Sequence, residues 1–165
     1  MKTNLLLTLL VALLMVSCSE HTNDSKYRSD CPRFAALQSS VDEIHVNEPV
    51  IFTAVERSAG KLINLATYTW SVLPAENVSI DATSAENGLY DGKNPTATII
   101  FRAKGTYTLT FRADYAGSGQ VNYFDISETL SDGTKARYSA NTASETSPQR
   151  DYLHAVLTRT VRVLE

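Results

Sequence analysis

The sequence predicts an all-β protein, an antiparallel sandwich of about seven strands, and three observations carry that expectation. Tyr107, Leu109, Phe111 and Ala113 alternate with Thr106, Thr108, Thr110 and Arg112, a period-two pattern of aromatic and β-branched residues suited to a half-buried pleat. Turn signals separate the apolar runs: Asn47-Glu48-Pro49, Ser58-Ala59-Gly60-Lys61, Asn87-Gly88, Asp91-Gly92 and Lys104-Gly105. No stretch of the mature chain makes a convincing helix.

Composition agrees. The chain has 165 residues, enough for one domain with appendages, and 43% of them are hydrophobic against 20% charged, the balance of a globular protein. Eight Tyr and five Phe stand beside a single Trp. With abundant Thr, that usage leans towards strands.

Residues 1–17 lie outside the predicted fold. Lys2 is a short positive start, and Leu5 to Val16 is apolar apart from Thr8. A run of about 12 residues is too short to span a bilayer, which takes about 20, so it reads as the apolar core of a signal peptide. It ends in Met15-Val16-Ser17-Cys18 and turns polar at once. The stretch resembles a bacterial lipoprotein signal, which implies a lipid on Cys18 and extracytoplasmic attachment to the outer membrane, its periplasmic or surface face left open. The alternative is an ordinary secretory signal with an incidental cysteine.

Losing Lys2 leaves 14 basic against 18 acidic residues, a formal charge of −4. With no basic run, nucleic acid is not an expected partner. With Cys18 lipidated, Cys31 has no intramolecular disulfide partner and reads as a small residue near the start of the fold.

Residues 18–40 are expected to form a polar tether, with Cys31 to Gln38 either a helical turn or an extended lead-in. The domain proper is set at 41–165. Ile44 to Val46 is its first strand and Val50 to Val55 its second, with Phe52 inward. Tyr68 to Val72 is the third, with Tyr68, Trp70 and Val72 on one face, and Pro74 ends it. Asn77 to Ile80 adds a short strand. Thr96 to Ala103 follows with Ile99 and Phe101 inward, then the Gly105 strand, taken as central, with Tyr107, Leu109 and Phe111 in the core. Leu157 to Leu164 closes the sheet with Val161 and Val163 inward. Strict alternation also turns Arg159 inward, which predicts a bulge or a sheet end near it.

The stretches Val50 to Ala54, Tyr68 to Val72, Thr98 to Thr110 and Thr158 to Val163 resemble PKD-type immunoglobulin-like domains of bacterial surface lipoproteins. The segment Trp-Asp-Phe-Gly-Asp-Gly common in that family is absent; Trp70 is followed by Ser71-Val72-Leu73-Pro74. The resemblance implies an immunoglobulin-like sandwich serving as a spacer or binding module, and no catalytic residue.

Between the last two strands, where about 2–5 residues suffice, roughly 37 intervene from Ala116 to Tyr152. Val121 to Ile126 and Lys135 to Ser139 read as a hairpin about Asp132-Gly133, and Ser139 to Gln149 as mobile loop. Tyr115, Tyr123, Phe124, Tyr138 and Tyr152 are the candidate binding surface for a protein or glycan; the competing reading is that they pack the hairpin onto the sheet. The excursion is expected to be separable, so that deleting Gly119 to Gln149 leaves the sandwich folded.

Catalytic and metal motifs are not found. His21, His45 and His154 have no ligand spacing, and Asp91-Gly92-Lys93-Asn94 lacks the spaced acids of a calcium loop. Asp125, Glu128 and Asp132 read equally as an ion cluster or a solvated hairpin edge. No cofactor is expected. The expected function is a non-catalytic, lipid-anchored module that binds or positions a surface protein or glycan. A structural spacer or assembly subunit is the alternative, and a small hydrolase a remote one.

Overall fold

The computed structural model describes residues 25–82, 84, 88–141 and 152–165. They form two antiparallel sheets packed face to face. The strands are β1 (Arg33–Ser39), β2 (Ile44–His45), β3 (Pro49–Ser58), β4 (Ile63–Leu73), β5 (Val78–Ala82), β6 (Thr96–Phe101), β7 (Gly105–Gly117), β8 (Asp125–Thr129), β9 (Lys135–Asn141) and β10 (Tyr152–Leu164). One sheet runs β1-β3-β6-β5. The other runs β4-β7-β10-β9-β8, and β2 pairs in parallel with the last residues of β10.

The alternating strand at Gly105 is central, as its pattern predicts. β7 lies between β4 and β10, and Tyr107, Leu109, Phe111, Ala113 and Tyr115 all face the opposite sheet, buried. Phe111 is fully buried, with Trp70 at 4.8 Å, Phe34 at 5.6 Å and Tyr68 at 5.8 Å between ring centroids. Of the predicted core, Phe52, Trp70, Val72, Ile99, Phe101, Tyr107, Leu109, Phe111, Val161 and Val163 are buried, and Tyr68 is half-buried against them.

The domain begins earlier than residue 41. Residues 33–39, expected to end the tether, are β1, an edge strand paired with β3. Register shifts on both sides of Phe34 place Phe34 and Leu37 in the core three residues apart, so the bulge hides the strand's alternation. Upstream, Arg28 bridges Gln120 and Asp30 bridges Lys61. The chain passes so close to Gly119 that a Cβ there would stand 2.4 Å from the Tyr27 carbonyl oxygen, so only glycine fits. Buried Ser29 fastens the crossing: its Oγ donates to the Leu62 carbonyl at 2.9 Å and accepts from the Gly119 amide at 2.9 Å.

The excursion is part of the sheet. β9 pairs with β10 from Tyr152↔Asn141 to Thr158↔Lys135, and β8, at Asp125 to Thr129 rather than Val121 to Ile126, pairs with β9. Val121 is instead drawn into the core. The hairpin also closes the open side of β1. Tyr138 Oη accepts from the Phe34 amide at 3.0 Å, and Asp132 Oδ2 accepts from the Leu37 amide at 3.1 Å. These bonds satisfy edge amides that water or another strand otherwise would. Burial pushes the Asp132 carboxyl up, but bonds from Thr134 and Leu37 and the Arg159 charge outweigh it and hold the carboxyl below its usual range.

Of the two outcomes predicted near Arg159, the bulge does not occur, but the sheet does end beside it on one side, because β9 pairs with β10 only as far as Thr158. Arg159 pairs with Leu109 in an unbroken ladder, and its guanidinium donates to the Leu37 carbonyl at 2.6 Å, with Asp132 3.9 Å away. A long side chain reaching an acceptor at the sheet margin makes a bulge unnecessary.

Beyond Tyr115 the core turns polar. Tyr90 Oη donates to Glu56 Oε2 at 3.0 Å and accepts from the Gly60 amide at 3.0 Å. Glu56 Oε1 is buried without a partner, and burial raises the Glu56 pKa above its usual value despite the Tyr90 bond. A raised carboxyl favours the fold at pH values below its unfolded pKa and loses that advantage as pH rises towards the folded one. Glu56→Gln keeps an acceptor for Tyr90 and removes the titration. The variant is expected to be more stable than the parent at neutral pH, with the gain fading towards pH 4 in urea melts.

Candidate functional site

The five aromatics proposed as one platform are not together. Tyr115 and Tyr138 are fully buried, because each falls on the inward phase of its strand. Phe124 is half-buried against the core, with the Arg33 guanidinium 5.7 Å above its ring. Tyr123 and Tyr152 are exposed, at 75% and 38% of their surface. Cys18 lies outside the described residues. Cys31 is buried with burial pushing its thiol up to about 12, so it is almost wholly protonated and a poor nucleophile.

What the excursion builds is the outer face of the larger sheet. Period two sends Arg112 and Asp114 of β7, Tyr152, His154 and Val156 of β10, Arg137 and Ser139 of β9, and Asp125 and Ser127 of β8 to that face. Register aligns them in two rows across the strands. One reads Asp114, His154, Ser139, Asp125; the next reads Arg112, Val156, Arg137, Ser127. β9 and β8 supply the second half of both rows, so the site exists only because the hairpin joins the sheet.

Ion pairs tie the rows together. Arg112 Nε donates to both Asp114 oxygens at 3.0 and 2.9 Å, and His154 Nδ1 lies 2.5 Å from Asp114 Oδ1. Arg137 grips Asp125 through Nε at 2.9 Å and Nη2 at 2.6 Å. Burial raises the Asp114 carboxyl, but Arg112 and His154 outweigh it and hold it below the usual carboxylate range. Asp125 is lowered by Arg137.

Arg112, Arg137, Ser139, His154 and Val156 line one pocket of about 240 Å³. A groove of about 520 Å³, lined by Thr129, Lys135, Thr158 and neighbours, shares Arg137 and Val156 with it. Tyr152 stacks on His154, centroids 6.3 Å apart and planes inclined by 22°.

Asp114, His154 and Ser139 follow one another along the first row, the side-chain order of a nucleophilic triad. β10 is paired on both sides here, so its backbone amides belong to ladders and none faces outward as an oxyanion donor. Each guanidinium meets an aspartate through Nε and Nη2. Among the described residues no cluster of three His, Cys, Asp or Glu is placed to hold a metal ion.

No family model, no curated protein and no solved structure matches this chain.

The sequence reading missed Arg112, Asp114, Arg137, Ser139 and His154. Their signal was present as the polar phase of alternating strands, but the row that unites them depends on inter-strand register.

Proposed function

We propose that the protein is a non-catalytic, lipid-anchored, extracytoplasmic binding module that holds another cell-surface component, protein or glycan, on the outer face of its larger sheet. The observation that carries this reading is the pocket between Arg112 and Arg137, on a face the excursion creates, with exposed Tyr152 stacked on its His154 wall. The leader ending at Cys18 supports outer-membrane anchoring. The order β1-β3-β6-β5 against β4-β7-β10 is the four-plus-three arrangement of immunoglobulin constant-type domains, which supports the PKD-like reading.

A spacer or assembly role is favoured by a different feature. β5 ends its sheet with four of its five residues exposed, Ile80 among them, an edge open to strand addition. A photo-crosslinking residue placed at Tyr152 or at Ile80 in intact cells separates the two. One discrete foreign adduct from position 152 and none from 80 is expected. A ladder of self-adducts from position 80 overturns the binding reading in favour of assembly.

A further inference from the structure

We infer that the pocket between Arg112 and Arg137 receives a carboxylate, and that its ligand is an acidic saccharide carrying uronic-acid groups; this rests on the binding-face reading above. Acceptors in the pocket are already engaged. Asp114 takes Arg112 and His154, and both oxygens of Asp125 take Arg137. The donors are not exhausted. Arg112 and Arg137 each meet their aspartate through Nε and Nη2, so the two N–H groups on each Nη1 lie beyond those pairs. Ser139 adds a hydroxyl. A pocket offering donors selects a guest rich in acceptors.

Geometry narrows the guest to a carboxylate. Arg112 and Arg137 stand opposite the same residue, Val156, from the strands on either side of β10. Their Cα atoms are thus two strand spacings apart, about 10 Å, within reach of a planar group seated over Val156. A planar carboxylate matches the guanidinium fork, and the aspartate clamps lower the entropy lost on binding.

The surroundings narrow the carrier to a saccharide. The adjoining groove is open and its lining is more apolar than polar, with Ala136 and Val156 beside Ser127, Thr129, Thr158 and Lys135, so it offers a sugar both C–H contact and hydrogen-bonding groups. The Tyr152–His154 stack offers a face for a sugar's C–H surface. Asp114 and Asp125 beside the cations repel a densely charged polyphosphate but tolerate isolated carboxylates.

The test is affinity electrophoresis and calorimetry of the whole protein with polygalacturonate, alginate and hyaluronan, alongside methyl-esterified polygalacturonate, dextran sulfate and neutral dextran. Retention by at least one uronate polymer, lost on esterification and weakened by salt, is expected. Arg137→Gln and Arg112→Gln should each weaken it about tenfold or more, the loss of one charge-assisted interaction. Arg162→Gln, on the same face but at the far end of β10, should leave it unchanged, and unaltered melting curves establish that the variants fold. Equal retention by the esterified polymer, retention by dextran sulfate alone, or binding indifferent to both substitutions overturns the proposal. If no uronate polymer is retained while position 152 still crosslinks a foreign partner, the saccharide assignment falls and the binding face stands.

Discussion

Phe111→Ala is expected to lower the stability of the domain by about 3–5 kcal/mol, the range found when a fully buried aromatic is truncated without collapse of its surroundings. Phe111 has no exposed surface and is flanked by Phe34, Tyr68 and Trp70, which come from strands of both sheets. None of those rings fills the void without leaving its own neighbours. A domain of this size has about 5–15 kcal/mol in total, so the variant should be partly unfolded near body temperature. Trp70 lies 4.8 Å from Phe111 and is the chain's one tryptophan, so its fluorescence in a urea titration reports the change directly. A loss below about 1 kcal/mol would mean that Phe111 does not join the sheets.

The second large effect is deletion of Gly119 to Gln149, which is expected to abolish cooperative folding. The pattern of the sequence suggests a separable appendage; the structure makes it a wall of the core. Removing it takes away Tyr138, Leu130, Ala136 and Ala140, all buried, and strips one side of β10 of its ladder. It also removes the acceptors of the Phe34 and Leu37 amides and opens the β1 edge to solvent. Together these losses are on the order of 10 kcal/mol, as large as the stability available. Circular dichroism and melting of the deletion protein decide it: a sharp transition near the parent's would show the hairpin to be dispensable. Tyr138→Phe, which removes only the Phe34 acceptor, should fold with a lower midpoint.

These two cases mark what the sequence does and does not convey. Alternation locates β7, β3, β4 and β6, because each strand carries several inward residues without a break. It fails at β1, where a bulge puts Phe34 and Leu37 three apart. The placement of Tyr115 was available: the rule that turns Tyr107 to Ala113 inward reaches Tyr115 one step later. Ala136, Tyr138 and Ala140 alternate with Lys135, Arg137 and Ser139 in the same way. Aromatic character drew those residues towards a surface role that their phase denies them.

The binding face is a different matter. Arg112 and Arg137 are 25 positions apart in sequence, and nothing local relates them. They meet because β10 inserts between β7 and β9, so that both stand opposite Val156. Only pairing order and register create the pocket, and a single chain read alone specifies neither.

The measurement that bears most directly on this picture is amide hydrogen exchange across β9. If the excursion completes the sheet, the amides of Ala136 to Ala140 that pair with β10 exchange as slowly as those of β7, within a common unfolding unit. Exchange of those amides at the rate of an open loop, with β7 still protected, would contradict it, because the paired rows of Arg112, His154 and Arg137 would then not exist.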